Sequence, residues 1–177
     1  LEAFAEPRAR ELLPLLSVDV ILAGLPGGLF GARVGQTYRD NWGFLTSDPD
    51  AWDRVAAGTA VLINEQLARR ADIWVGDSLT VAPGQTLRIS GVFGDYGNPI
   101  GQAIVSEPLF RMLHPNIEPV SFGLRSDAPA RLRRDLIETL GIPEGQIMDQ
   151  AAIKGFSLEV FERTFTVTRA LNVLTLS

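Results

Sequence analysis

Apolar and polar positions alternate most regularly in the middle of the chain. Leu79-Thr-Val81 and Leu87-Arg-Ile89 each have the two-residue period of a half-buried strand. Between them, Ala82-Pro83-Gly84-Gln85 puts Pro and Gly at the central positions of a type II turn, so a β-hairpin is predicted. Its second strand runs on through Val92 and Phe93, and Asp95-Tyr-Gly-Asn-Pro99 turns the chain into a further strand over 102–105. Upstream, 59–63 is a β-rich run. Asn64 follows it, placed to cap a helix over 65–71 with Leu67, Ala68 and Ala71 facing inward. Downstream, Ser106 is placed to cap a short helix containing Leu109, Phe110 and Leu113, and 120–124 reads as a strand. Asp127 then caps a helix with Leu132, Leu136 and Leu140 on one face, ended by Gly141, and 146–148 is short and β-like, completing a β-α-β unit.

The flanks are less regular. Pro7 suits a first helical turn and opens a predicted helix over 7–14, and 18–25 reads as a buried strand. The glycine-rich run 24–31 reads as a bend leading to a second strand over 32–38. Asp48-Pro49-Asp50 marks a loop before a short helix over 51–57. At the other end, 157–177 has helical spacing. Val160, Val167, Leu171 and Leu174 form one stripe with Leu158, Phe161 and Phe165 beside it, and no charge follows Arg169. The stretch is too short for the roughly 20 residues of a membrane span. Two readings stay open from spacing alone: an amphipathic helix packed on its own core, or a helix leading into a membrane segment. The chain opens at Leu1 with neither an initiator Met nor a signal-peptide pattern, which reads as a piece of something longer.

Composition narrows the class. With 177 residues, 46% hydrophobic and 21% charged, the chain suits one globular domain, with or without an inserted subdomain. A net charge of -5 argues against nucleic acid as a partner, because phosphate binding needs a basic face. The absence of Cys excludes disulfides, thiolate nucleophiles and Cys-ligated zinc while leaving the compartment open. No solenoid repeat or low-complexity linker interrupts the chain, and the fold class expected is one compact α+β module, with the mostly β middle, roughly 48–114, as an inserted subdomain.

Candidate chemistry is sparse. His114 is the one histidine and precedes Pro115, so it lacks the partners of a familiar zinc site. Ser90 sits in Arg88-Ile-Ser-Gly-Val92, which is not a nucleophile elbow. The 24–31 run has no G-K-[ST] ending and reads as a backbone bend in preference to a phosphate cradle. Asp72, Asp77 and Asp95 offer carboxylates for a glycosidase-like pair, but each falls where turn chemistry explains it. Arg131, Arg133 and Arg134 share a predicted helix, and a solvated face competes there with attraction for an anionic partner or lipid headgroups. No catalytic, metal or cofactor residue is assigned, and the chain reads as a non-enzyme. An enzyme using turn carboxylates ranks behind a free-standing small-molecule or peptide-binding α+β module built on the hairpin sheet.

Three stretches resemble the FtsX-like permease subunits of ABC transporters, which include MacB-type exporters and lipoprotein-releasing systems. Val61-Leu-Ile-Asn-Glu-Gln-Leu-Ala-Arg-Arg70 with Val75-Gly-Asp-Ser-Leu79 is similar to the family's strand followed by "(N/S)E-x-L-A-(R/K)" and "GD-x-L". Ile89-Ser-Gly-Val-Phe-Gly-Asp-Tyr-Gly97 is similar to "V-x-G-V-(Y/F)-x-D-Y-G". Ser157-Leu-Glu-Val-Phe-Glu-Arg-Thr-Phe-Thr-Val-Thr-Arg-Ala-Leu171 resembles the run that leads into a transmembrane helix in these permeases. The resemblance covers about 61–177, whereas the first 50 or so residues match only in general character.

The resemblance implies an extracytoplasmic, periplasmic domain of an inner-membrane permease. On that expectation, roughly 1–47 and 115–156 form the porter-like part, 48–114 the β-rich insert, and 157–177 a helix leading towards the membrane. It also implies no active site and no cofactor, a cytoplasmic ATPase subunit as partner, membrane helices on both flanks, and a periplasmic substrate or accessory protein. Motion of the β-α-β layer would then be a hinge or shear transition. Glu65, Gly76, Asp77 and Asp95 are expected to serve as caps and turns, and both termini to lie at one end of the fold.

Overall fold

A computed structural model of the chain describes residues 1–148. It has two units, Leu1–Asp127 and Ala128–Ser177, the second described as far as Met148. The first unit is built on eight strands: β1 (Glu11–Leu22), β2 (Leu25–Ala32), β3 (Phe44–Ser47), β4 (Ala60–Asn64), β5 (Ser78–Ala82), β6 (Gln85–Phe93), β7 (Gly101–Ser106) and β8 (Ser121–Arg125). Its helices are α1 (Glu2–Ala5), α2 (Gln36–Asn41), α3 (Ala51–Ala56), α4 (Glu65–Ala71) and α5 (Glu107–Leu113). The strands form one mixed sheet in the order β3-β6-β4-β7-β2-β1-β8, with β5 also pairing β6. The β2–β7 and β4–β6 pairs are parallel and the others antiparallel. An α+β chain with a mixed sheet is therefore what forms. The stretch 48–114 supplies β4 to β7, and these are hydrogen-bonded into the same sheet as β1 to β3.

The central strands are buried on both faces, which is why they read as continuous apolar runs. Every residue of β4 is buried. Val61 and Ile63 point into one core with Leu29, Ala103, Val105, Leu67 of α4 and Phe110 of α5. Leu62 points the other way, with Ile104, Phe93, Trp52 and Val55. The period-two geometry of a strand thus serves two apolar layers at once.

The expected elements from β4 to β8 form with small boundary shifts. The β5–β6 hairpin turns at Gly84 with φ +73°, the left-handed value a type II turn requires at that position. Asn64 accepts the Leu67 amide and caps α4, and Ser106 accepts the Leu109 amide and caps α5. Ser90 is the extra residue of a bulge, since Ile89 pairs Val61 while Gly91 pairs Leu62.

Five expectations fail near the flanks. Residues 7–14 do not form a helix: Leu12, Pro14 and Leu16 are buried with period two, and β1 begins at Glu11. Pro14 is tolerated because Glu11–Leu15 pairs only β8, leaving one side of the strand without a ladder to break. The run 24–31 is not a bend. The turn is confined to Ala23 and Gly24, both left-handed, and the remaining glycines lie in β2. They are there for close approach: a Cβ on Gly27 would stand 2.7 Å from the Gly101 carbonyl oxygen, and one on Gly31 2.7 Å from Phe110 Cβ. Residues 32–38 are not a strand, since β2 ends at Ala32 and α2 starts at Gln36.

The last two concern the second unit, whose helix α6 (Pro129–Leu140) has Ala128 at its N-cap position with no side-chain cap, Pro129 taking the first helical position. Asp127 pairs instead with Arg10 at 3.4 Å. Gly141 ends α6 in the left-handed conformation as expected, but 144–146 is a 3-10 turn and 146–148 is not a strand. The membrane-directed helix expected over 157–177 lies outside the described residues, as does the position of the C-terminus. Among the described residues no helix is long and apolar enough to cross a membrane.

Candidate functional site: an aromatic cavity walled by helix α2

The second apolar layer is aromatic. Tyr38 and Trp42 of the α2 segment, Phe44 of β3, Trp52 of α3 and Phe93 of β6 stack in a continuous array. Ring centroids are 5.4 Å apart for Tyr38–Trp52, 5.5 Å for Tyr38–Trp42, 5.7 Å for Trp42–Trp52 and 5.3 Å for Trp42–Phe93. Most of these pairs meet edge to face or tilted, the arrangement favoured by ring quadrupoles, and only Tyr38–Trp52 is stacked.

Beside this array lies a cavity of about 190 Å³, lined by Tyr38 and Trp42 of the α2 segment and by Phe30, Phe93, Gln102 and Ile104 of the sheet. Leu15, Gly31 and Ala32 complete it. No charged side chain lines it. The indole nitrogens of Trp42 and Trp52 are buried without an acceptor among the described residues. Burial, and secondarily the negative charge of Glu11, pushes the Tyr38 hydroxyl above its ordinary pKa, so it is protonated at neutral pH.

What holds α2 against the cavity is polar. The Glu11 carboxylate on β1 accepts the Thr37 amide at 3.2 Å and the Thr37 hydroxyl, at the first turn of α2. Arg125 of β8 donates to the Thr37 hydroxyl oxygen at 3.2 Å and lies 3.9 Å from Glu11. The Thr37 hydroxyl, the Thr37 and Gln36 amides and the Arg125 charge together hold the Glu11 carboxyl below its usual range. At the other side, Arg39 of α2 pairs with Asp53 of α3 at 2.7 Å. With only six residues, α2 cannot sustain itself by helix propensity, so these tethers and its two aromatic side chains position it.

The residues singled out from the sequence do not converge here. Ser90 is fully buried and its hydroxyl donates to the Ala51 carbonyl at 3.2 Å, which ties the bulge to α3. His114 ends α5 with its ring 5.3 Å from that of Phe110. Asp72 is the left-handed C-cap of α4, Asp77 accepts the Trp74 amide at 2.9 Å, and Asp95 accepts from Asn98 at 2.7 Å. Gly76 adopts φ +101° in the turn before β5, and Glu65 pairs with Arg69 one turn on. Asp72, Gly76, Asp77 and Asp95 have the turn and cap roles expected of them, whereas Glu65 lies inside α4, which is capped by Asn64 instead. In the second unit, Arg131 and Arg134 are exposed, while Arg133 pairs with Glu144 at 3.1 Å. Sequence reasoning missed the aromatic array. Its signal was clustering: two of the three Trp, one of the two Tyr and Phe44 fall between positions 38 and 52.

No family model and no curated protein matches the chain. Solved structures do. The fold is similar to the extracellular domain of the noncanonic ABC-type transporter YknZ from Gram-positive bacteria. That match has a TM-score of 0.56 and 13% identity, over 80% of this chain and 82% of that one. It is also similar to the periplasmic region of MacB from Actinobacillus actinomycetemcomitans, with a TM-score of 0.56 and 15% identity over 78% of this chain and 73% of that one. At this identity the likeness establishes a shared fold: the mixed sheet and its helices have the architecture of extracytoplasmic transporter domains.

Proposed function

We propose that this chain is an extracytoplasmic domain of an ABC transporter permease of the FtsX-like and MacB-like kind. In this reading it transmits ATP-driven motion of membrane helices to an exported or extracted substrate and catalyses no reaction itself. The observation that carries the reading is the fold shared with YknZ and MacB domains over about four fifths of this chain. The sequence stretches 61–70, 75–79 and 89–97 support it independently, because they form one structural block: β4, its capped helix α4, the turn into β5, and β6 with its following loop. The partner implied is a cytoplasmic ATPase subunit, reached through the membrane part of the permease. A sheet apolar on both faces would move as a rigid body, which suits a hinge or shear transition.

The test starts from a full-length protein in which any cysteine outside this cysteine-free chain is replaced by Ser. Tyr96, 92% exposed in the β6–β7 loop, is replaced in the full-length protein by Cys. A membrane-impermeant maleimide added to intact cells stripped of their outer barrier labels Tyr96→Cys if the domain is extracytoplasmic. Labelling only after lysis refutes the location. An environment-sensitive dye on the same cysteine, in membranes carrying the ATPase partner, should change emission on ATP addition and not with a hydrolysis-dead ATPase. A signal indifferent to hydrolysis removes the coupling role while leaving the location intact.

A further inference from the structure

From the aromatic cavity we infer that the first unit holds a binding site for a quaternary ammonium group, such as the head of choline. The inference stands apart from the transporter reading. It rests on the make-up of the wall, the room inside it and the access from solvent. Four of the nine lining residues are aromatic: Phe30, Tyr38, Trp42 and Phe93. Trp42 meets both Tyr38 and Phe93 at interplanar angles of 70°, with ring centroids 5.5 and 5.3 Å away, so these rings are steeply inclined to one another and do not form one flat stack. Steeply inclined rings around one space make an aromatic cage, which holds a quaternary ammonium ligand through the attraction of the cation to the negative ring faces.

Size and access agree. A cavity of about 190 Å³ exceeds the roughly 150 Å³ apolar cavity known to admit benzene, so a trimethylammonium group, of similar bulk, fits. Leu15 is exposed, and Phe30, Tyr38 and Trp42 are half-buried, so the wall reaches solvent. The lining disfavours other ions. No charged side chain lines the cavity, and only Tyr38 and Gln102 bring a side-chain oxygen to it. An anion would meet ring faces of its own sign with no cation to hold it. A primary ammonium brings three N–H donors and finds at most those two side-chain acceptors. A quaternary ammonium has no N–H to leave unmet, so it gives up less on entering. The charges behind the wall pair with one another, Glu11 with Arg125 at 3.9 Å and Arg39 with Asp53 at 2.7 Å, which leaves the choice of ligand to the rings.

The experiment titrates the 177-residue chain with choline, with dimethylbutanol, its uncharged isostere with carbon in place of nitrogen, and with ethanolamine. The readouts are affinity and the ligand methyl resonances. Choline should bind saturably, about tenfold more tightly than dimethylbutanol, as attraction between a cation and ring faces in a desolvated site provides. Ethanolamine should bind more weakly than choline. The choline methyl protons should move upfield under the ring currents and show contacts to the ring protons of Trp42 and Phe93. Trp42→Leu keeps the wall apolar but removes a ring, so the preference for choline over dimethylbutanol should shrink, and Phe30→Leu makes the same test should the first variant fail to fold. No saturable binding of choline, dimethylbutanol or ethanolamine binding as tightly as choline, or a preference for choline unchanged in a folded variant would each overturn the inference.

Discussion

Asn64 is the residue whose loss should reach furthest through the first unit. It is fully buried at the C-terminal end of β4, and its side chain makes bonds to three separate segments. Its Oδ1 accepts the Leu67 amide at 3.1 Å, capping α4, and the Gln102 amide at 2.9 Å, anchoring the start of β7. Its Nδ2 donates to the Ile100 carbonyl at 2.8 Å and lies 3.5 Å from Asp95. Asn64→Ala removes a helix cap worth about 1 kcal/mol. It also orphans a half-buried amide and a loop carbonyl at about 1 kcal/mol each, the carbonyl less because Ile100 is half exposed to water. The total expected is about 2.5 kcal/mol, or a fall in Tm on the order of 10 °C. Urea denaturation followed by Trp fluorescence measures it. Asn64→Ser, which retains a cap oxygen but cannot span to Ile100, should recover about 1 kcal/mol of the loss. A loss below 1 kcal/mol for Asn64→Ala, or no difference between Ala and Ser, would refute the three-way clamp.

Three further outcomes are expected. Glu11→Gln should loosen α2. Because the Glu11 carboxyl sits below its ordinary value of 4.5 in the fold, its contribution is present above that pH and is lost as pH falls through the folded value. The stability gap between the two proteins, measured by denaturation at several pH values, should therefore be about 1 kcal/mol at neutral pH and close in acid. Gly31→Ala should cost about 1–3 kcal/mol, since its Cβ meets Phe110 at 2.7 Å, while Gly43→Ala, with no neighbour within 4 Å, should stay within about 0.5 kcal/mol in the same assay. Glu107→Ala should cost about 2 kcal/mol by thermal denaturation. Burial alone would raise the Glu107 carboxyl. Arg33 at 2.6 Å and Arg111 at 2.9 Å more than offset that; in the variant Arg111 loses this acceptor and Arg33 keeps Glu2 alone. The cost stays below that of a deeply buried pair because the Arg33 side chain is one-third exposed.

What the sequence by itself determined is the local physics. The caps at Asn64 and Ser106, the Pro83-Gly84 turn and the left-handed stop at Gly141 each depend on a few adjacent residues, and each formed where read. The resemblance of 61–70 and 89–97 pointed to the transporter fold for the same reason, since those runs encode one strand-helix-strand block. Tertiary structure decided what depends on distant neighbours. Pro7 and Pro14 look like the start and end of a helix until β8 pairs one side of β1 and leaves the other free. The 24–31 glycines look like a bend until Gly101 and Phe110 arrive against them. Asn64 serves as a cap in sequence, but becomes a clamp only when β7 lies alongside β4. The cavity is the extreme case: its walls come from β1, β2, α2, β6 and β7, so folding alone brings them together.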